Sequence, residues 1–245
     1  MKKEQQRLEN IARDYDNPLQ AREVSYLEIF YGFEIFKRFY RGGDVLEMGP
    51  AEGVMTKYLV DYVENLEVLE GSSHFAKSLK EKFPHLNVHN ALFEEFKPVK
   101  KYDYIIMGHV LEHVESPNQI LSLAKEWLKP CVDSAGGGGI ILSVVPNSHS
   151  IHRQAAVKMG LLKSEDSMSE ADIFHGHRRI YDLQGLQKEF DRAGLKIIDS
   201  GGYWLKPLSN AQIQAHWDSQ MILAFMELGE IYPQIAGDIY VAASL

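Results

Sequence analysis

Cysteine is nearly absent: the 245 residues hold one, Cys131, so neither an internal disulfide framework nor a multi-cysteine zinc site can form. That usage agrees with a reducing compartment, and a cytoplasmic location is expected. Long apolar runs are also missing. Nothing approaches ~18 uninterrupted apolar residues, and the opening MKKEQQRLEN is charged with no apolar stretch behind it, so neither a membrane span nor an export signal is expected. Positive charge is in deficit, with a formal net charge of −8, and general nucleic-acid binding is not expected because phosphate neutralisation needs grouped Lys and Arg. No G-x-G-x-x-G turn follows a predicted strand, which counts against a dinucleotide site. Internal repeats and low-complexity linkers are lacking too, so one domain is expected.

What the chain has is enough apolar residue, 45% by count, to fill a sizeable core. From Ile11 to Tyr40, residues Tyr26, Ile29, Phe30, Phe33, Phe36 and Tyr40 recur at helical spacing and predict a helical N-terminal cap over 1–41. This cap can pack on the main domain or cover a ligand, and its aromatics permit a homodimer. After Gly42-Gly43, VLEM (45–48), LEVLE (66–70), LNVHN (86–90), YDYIIMG (102–108) and GIILSVV (139–145) read as strands with amphipathic helices between them. The rhythm predicts an α/β fold, a Rossmann-like doubly wound sheet with right-handed crossovers, whose core is 42–145. Gly136 to Gly139 reads as a loop tip. Between 146 and 182 the rhythm gives way to a polar, histidine-bearing lid. Over 183–245 a helix, the strand LKIIDSG (195–201), a long amphipathic stretch and the strand GDIYVAAS (237–244) complete the domain.

The stretch DVLEMGPAEG (44–53) carries the first functional signal. A strand ending at Glu47 that turns through Gly49, Ala51 and Gly53 into a helix lays bare backbone at the carboxyl edge of a parallel sheet, where such sheets bind ligands. Small residues admit close approach. Acids at Glu47 and Glu52 repel phosphate and attract ammonium or hydroxyl groups. Glu70, closing the second strand before Gly71, is placed to accept two hydrogen bonds from the vicinal hydroxyls of a ribose. With HNALFEEF after the third strand, these features describe a pocket for an adenosine with a cationic amino-acid tail, S-adenosylmethionine (SAM).

The stretches DVLEMGPAEG, LEVLEGSS, VHNALFEEF, YDYIIMGHVLEHV and GGIILSVVPN follow one another in an order and at a spacing that resemble the motifs of class I SAM-dependent methyltransferases. The likeness covers about residues 42–150, and the sheet order extends it to the C-terminus. It implies a seven-stranded sheet, mostly parallel with the last strand antiparallel. It further implies that Gly49, Ala51 and Gly53 line the cofactor, Glu70 binds its ribose, Ala91 and Leu92 border the adenine, and Gly108-His109 approach the methionine portion. Ala51 replaces the glycine of many members, and Asn90 stands where an acid is frequent. After the fourth strand GHVLEH replaces the asparagine-proline motif of many DNA and glutamine N-methyltransferases, so protein and nucleic-acid acceptors are not expected.

Methyl transfer from a sulfonium is an in-line displacement, and a hydroxyl acceptor must also lose a proton. His109 and His113 flank Glu112 at i, i+3 and i+4, and on a helical turn all three would share one face. His113 or His109 can act as general base, with His177 a further candidate. The trio can instead bind a divalent cation: it resembles the LEHV segment of ubiquinone-type O-methyltransferases, where a carboxylate stands at position 109. His113 can also simply pack. The lid gathers His149, His152, Arg153, His175, His177, Arg178 and Arg179. Paired arginines suit phosphate or carboxylate, so a small anionic acceptor is expected, or else Arg178 and Arg179 pair with Glu170, Asp172 or Asp182. Tyr203 and Trp204, near Lys206, can roof a sugar or base, or belong to the core. The expected activity is O-methylation of a sugar, sugar nucleotide or other phosphorylated metabolite, in polysaccharide or secondary-metabolite biosynthesis. N-methylation of an amino sugar or small amine is the alternative, and an NAD-dependent oxidoreductase or a non-catalytic cofactor-binding subunit are the readings from other classes.

Overall fold

The computed structural model describes residues 2–14, 22–130 and 138–245. Cys131, residues 15–21 of the predicted cap, and Gly136 and Gly137 of the predicted loop tip lie outside the described residues. The predicted cap comprises two helices, α1 (Lys2–Asp14) and α2 (Arg22–Lys37). There follow β1 (Asp44–Met48), α3 (Val54–Tyr62), β2 (Asn65–Glu70), α4 (Ser73–Lys82), β3 (Asn87–Asn90), β4 (Tyr104–Gly108), α5 (Pro117–Trp127) and β5 (Ile140–Pro146). The lid carries α6 (Ile151–Lys158) and α7 (Glu170–Phe174); α8 (Leu183–Arg192), β6 (Lys196–Tyr203), α9 (Asn210–Gln214), α10 (Ser219–Ile231) and β7 (Asp238–Ser244) complete the chain.

Among the described residues, seven strands form one sheet in the order β3-β2-β1-β4-β5-β7-β6. All pairings are parallel except those of β7, which runs antiparallel to both β5 and β6. The strands are apolar on both sides because both faces are covered. On β1, Val45 packs with Phe36 and Ile106 on one face, while Leu46 packs with Ile105, Leu121 and Phe190 on the other. Burying each such side chain contributes roughly 1.5–3 kcal/mol. The cap joins this core: Phe36 meets Tyr104 edge-on at 5.7 Å, and Phe33 stacks on Tyr58 at 5.6 Å. Near the other end Gly229 lets α10 lie directly on the chain leaving β6, since a Cβ there would come within 2.3 Å of the Trp204 nitrogen. Among the described residues no helix is long and apolar enough to cross a membrane.

The strand order reverses between β1 and β4, and a crevice opens where their carboxyl ends diverge. The segment leaving β4 differs from the expected helical turn. His109 takes a left-handed φ of 55° and its N–H extends the ladder to Val144 O at 2.8 Å, so the chain turns instead of coiling. The next helix, α5, starts only at Pro117, where a missing N–H costs nothing.

Candidate active site

A cavity of about 1370 Å³ occupies this crevice. Its first half is built by the turns after β1 and β2. Gly49 and Ala51 have φ of 66° and 48°, and the Ala51 N–H donates to Glu70 Oε2 at 3.1 Å. The other Glu70 oxygen accepts the Ser72 N–H at 2.7 Å. One carboxylate thus ties both turns together at the cavity wall, with acceptor capacity left for two hydroxyls. Burial pushes the Glu70 carboxyl up to about 7, against the pull of these N–H groups. Glu47, also in the lining, accepts from Thr56 Oγ1 at 2.6 Å, and burial pushes it up to about 8. A Cβ on Gly49 would meet Val110 Cγ2 at 3.0 Å, closing the space between the first turn and the segment after β4. Gly71, Leu92 and Gly108 line the same half.

Two expected cofactor residues lie elsewhere. Gly53 is absent from the lining because it faces α4, where a Cβ would strike Leu79 Cδ2 at 2.7 Å. Ala91 packs towards the core, and its N–H donates to Glu70 O at 3.2 Å. Helix α1 covers this half: Gln5 donates to Gly71 O at 2.8 Å, and Glu9 accepts the Ser73 N–H at 2.6 Å.

The second half faces the lid and the start of β7. His109, His113, His152, Arg153, His175, His177 and Tyr203 line it. Glu112 lies beneath, 1% exposed, with its Oε1 3.4 Å from His109 Nδ1 and 4.0 Å from His113 Nε2. Burial drives the Glu112 carboxyl up, but the approach of the His109 imidazole and the charges of the neighbouring histidines outweigh it and hold it below its ordinary range. Burial likewise works against charge on His109, yet Glu112 and Asp238 raise it to about 9. His113 goes the other way, to about 4, because its desolvation exceeds the attraction of Glu112. Desolvation takes His152 down to about 2 and also lowers His175. His177 meets His113 edge-on at 4.8 Å, and its Nδ1 lies 3.4 Å from Asp172 Oδ1.

The expected anion clamp is absent. Arg179 lies outside the lining and donates to three carbonyls of the segment after β4, those of Leu111 (2.9 Å), Val114 and Glu115 (2.9 Å). Arg178, also outside it, donates to His113 O at 2.9 Å and to Glu4 at 2.6 Å. Neither pairs with Glu170, Asp172 or Asp182. They brace the backbone that carries Glu112 and His113. Arg153 reaches the cavity wall, but its fork is engaged by Asp172 at 3.0 Å and by the carbonyls of Glu165 and Ser167. His149 is outside the lining, 3.7 Å from Glu165. Trp204 is fully buried, edge-on to Trp217 at 6.3 Å, and is core instead of a roof; Tyr203 is buried too but reaches the lining.

Residues the sequence reading did not single out complete the site. Glu28 of α2 and Asp238 at the start of β7 both line it, with Lys206 3.9 Å from Glu28. Asp238 is 2% exposed and its Oδ2 has no hydrogen-bond partner. Burial, then the charge of Glu28, pushes its carboxyl well above the ordinary range, and a hydrogen bond with Glu28 adds to this. The lining as a whole holds eleven carboxylates against four Arg and Lys side chains.

Comparison with known proteins follows the same lines. A family model for a methyltransferase domain matches residues 30–200. Two uncharacterised methyltransferases are similar in sequence: one from Anoxybacillus flavithermus, 26% identical over 121 residues, and one from Alkaliphilus oremlandii, 24% identical over 126. Each match takes in 48% of this chain, and the chain spans 57% and 58% of those relatives. Among solved structures, a SAM-dependent methyltransferase from Thermotoga maritima, described as a possible histamine N-methyltransferase, is similar over 97% of both chains with a TM-score of 0.67 at 14% identity. The N-methyltransferase NodS from Bradyrhizobium japonicum, in complex with S-adenosyl-L-homocysteine, matches 98% of this chain and 97% of its own with a TM-score of 0.54 at 13% identity. With well over half of the sequence matched and the sheet order that its motifs imply, this chain belongs to the class I SAM-dependent methyltransferases.

Proposed function

We propose that the protein transfers the methyl group of SAM to the nitrogen of a small amine. When bound, the cofactor supplies an electrophilic methyl on a sulfonium. The residues of the first half fit it. Glu70 offers paired acceptors for a ribose diol, Gly49 keeps the first turn clear for a flat nucleoside, and Glu47 lies where a cationic tail is favoured. The acceptor then approaches from the half lined by His109, Glu28 and Asp238.

The observation that carries the nitrogen reading is Asp238, a buried carboxyl with an unpartnered oxygen at the cavity wall, beside the half-buried Glu28. Burial and the neighbouring Glu28 make a charge on Asp238 costly, and an incoming ammonium would offset that cost. An ammonium must lose a proton before its nitrogen can attack, and a carboxyl raised in this way is suited to take it. The anionic character of the expected acceptor depends on Arg178 and Arg179, which hold backbone carbonyls instead. An assay of S-adenosylhomocysteine release tests the proposal with small primary amines on one side and sugar nucleotides on the other. Turnover of amines, rising with pH through the neutral range, is expected. Turnover confined to phosphorylated hydroxyl compounds would reject it.

A further inference from the structure

We infer that Glu112, His113 and His177 form a binding site for zinc or a similar late first-row divalent ion, with an open coordination position facing the cavity. Each offers one ligand atom, and these atoms lie within 4.8 Å of one another. The set differs from the one the sequence suggests: His109 drops out and His177 enters from the lid, because the segment after β4 turns instead of forming a helix.

Three observations support an ion here. Both Glu112 oxygens are buried and lack a hydrogen bond, although the carboxylate is 1% exposed. Such a group is expensive to leave unsatisfied, and a cation satisfies it. Next, Asp172 Oδ1 stands 3.4 Å from His177 Nδ1, the place of the outer carboxylate that orients a ligating imidazole. That leaves Nε2 for the ion. Finally, Arg178 and Arg179 fix the carbonyls of Glu112, His113 and their neighbours, which limits how far two of the three ligands can drift. Ligands about 2.0–2.2 Å from a tetrahedral zinc sit about 3.3 Å apart, so closure needs shifts of about 1–1.5 Å, within reach of side-chain rotation at His113 and His177. Two imidazoles and one carboxylate select zinc, cobalt or nickel over magnesium, which prefers an all-oxygen set. Because His113 and His177 line the cavity while Glu112 lies beneath it, the vacant position points towards the acceptor half and would take a neutral donor atom of the acceptor.

The test uses the full chain, stripped of metal with a chelator that is then removed, and titrated calorimetrically with zinc chloride; cobalt(II) absorption follows the same site. One zinc per chain is expected, with a rise in Tm. His177→Ala, which leaves the buried carboxylate in place, should weaken binding on the order of a hundredfold or more and abolish the Tm rise. Glu112→Gln should do the same, checked for folding by circular dichroism, while His149→Ala should change nothing. Absence of zinc binding, or binding that survives His177→Ala unchanged, would overturn the site without touching the assignment of the methyl acceptor.

Discussion

The two halves of the cavity are built in opposite ways. In the cofactor half the polar groups satisfy one another locally: Glu70 accepts two N–H groups, Glu47 accepts a hydroxyl, and the residues come from two short stretches of chain. In the acceptor half Glu28, His109, His177 and Asp238 come from four distant segments, and Glu112, His152 and Asp238 each bury a polar atom without a partner. The first half is a finished socket for one ligand. The second is left unsatisfied, and its deficits describe what it receives.

The largest effect that would break this contrast is expected from the Glu28–Asp238 pair. Asp238→Asn should lower kcat with amine acceptors by about a hundredfold or more, the scale of a lost general base. The calorimetric Kd for SAM should stay within about threefold, because Glu70 and Glu47 are held by Ala51, Ser72 and Thr56 and not by Asp238. An equal loss in both would show that the halves are not separable. Arg179→Ala tests the brace between them. It removes hydrogen bonds from a charged donor to three backbone carbonyls, so unfolding should become easier by about 2–4 kcal/mol, read from urea melts. Gly49→Ala should act mainly on the cofactor side. A left-handed φ costs a non-glycine residue about 1–2 kcal/mol, and the new methyl would press on Val110, so SAM affinity should fall about tenfold with stability lowered by that amount.

The same contrast explains what the sequence disclosed. The strand rhythm, the sheet and the turns after β1 and β2 were legible because parallel strands are continuous apolar runs and those turns are written in contiguous motifs. Gly53 and Ala91 were misplaced because a small residue before or after a turn serves close packing as readily as ligand approach. The acceptor half was mostly illegible. Nothing local distinguishes Glu28 inside an aromatic helix, or Asp238 at the start of an apolar strand, from an exposed acid; only the sheet and α2 bring them together. The arginines misled for the converse reason. A pair such as Arg178-Arg179 suits phosphate and backbone carbonyls equally well, and which one it meets depends on how the chain leaves β4. That turn is itself set by a left-handed His109, which helical spacing cannot foresee.

The central claim, that a buried carboxylate at the end of β2 holds the ribose of SAM, has a direct measurement in calorimetric titration of SAM at pH 8 and pH 6. Only the ionised Glu70 can accept both hydroxyls, and its carboxyl is pushed up to about 7 in the free protein. Affinity should therefore fall about tenfold on going from pH 8 to pH 6, as protonation competes with the ligand. Glu70→Ala should weaken binding by about a hundredfold at pH 8, the worth of two hydrogen bonds to a charged group, and remove most of the pH dependence. An affinity that is the same at both pH values and survives Glu70→Ala would contradict the account.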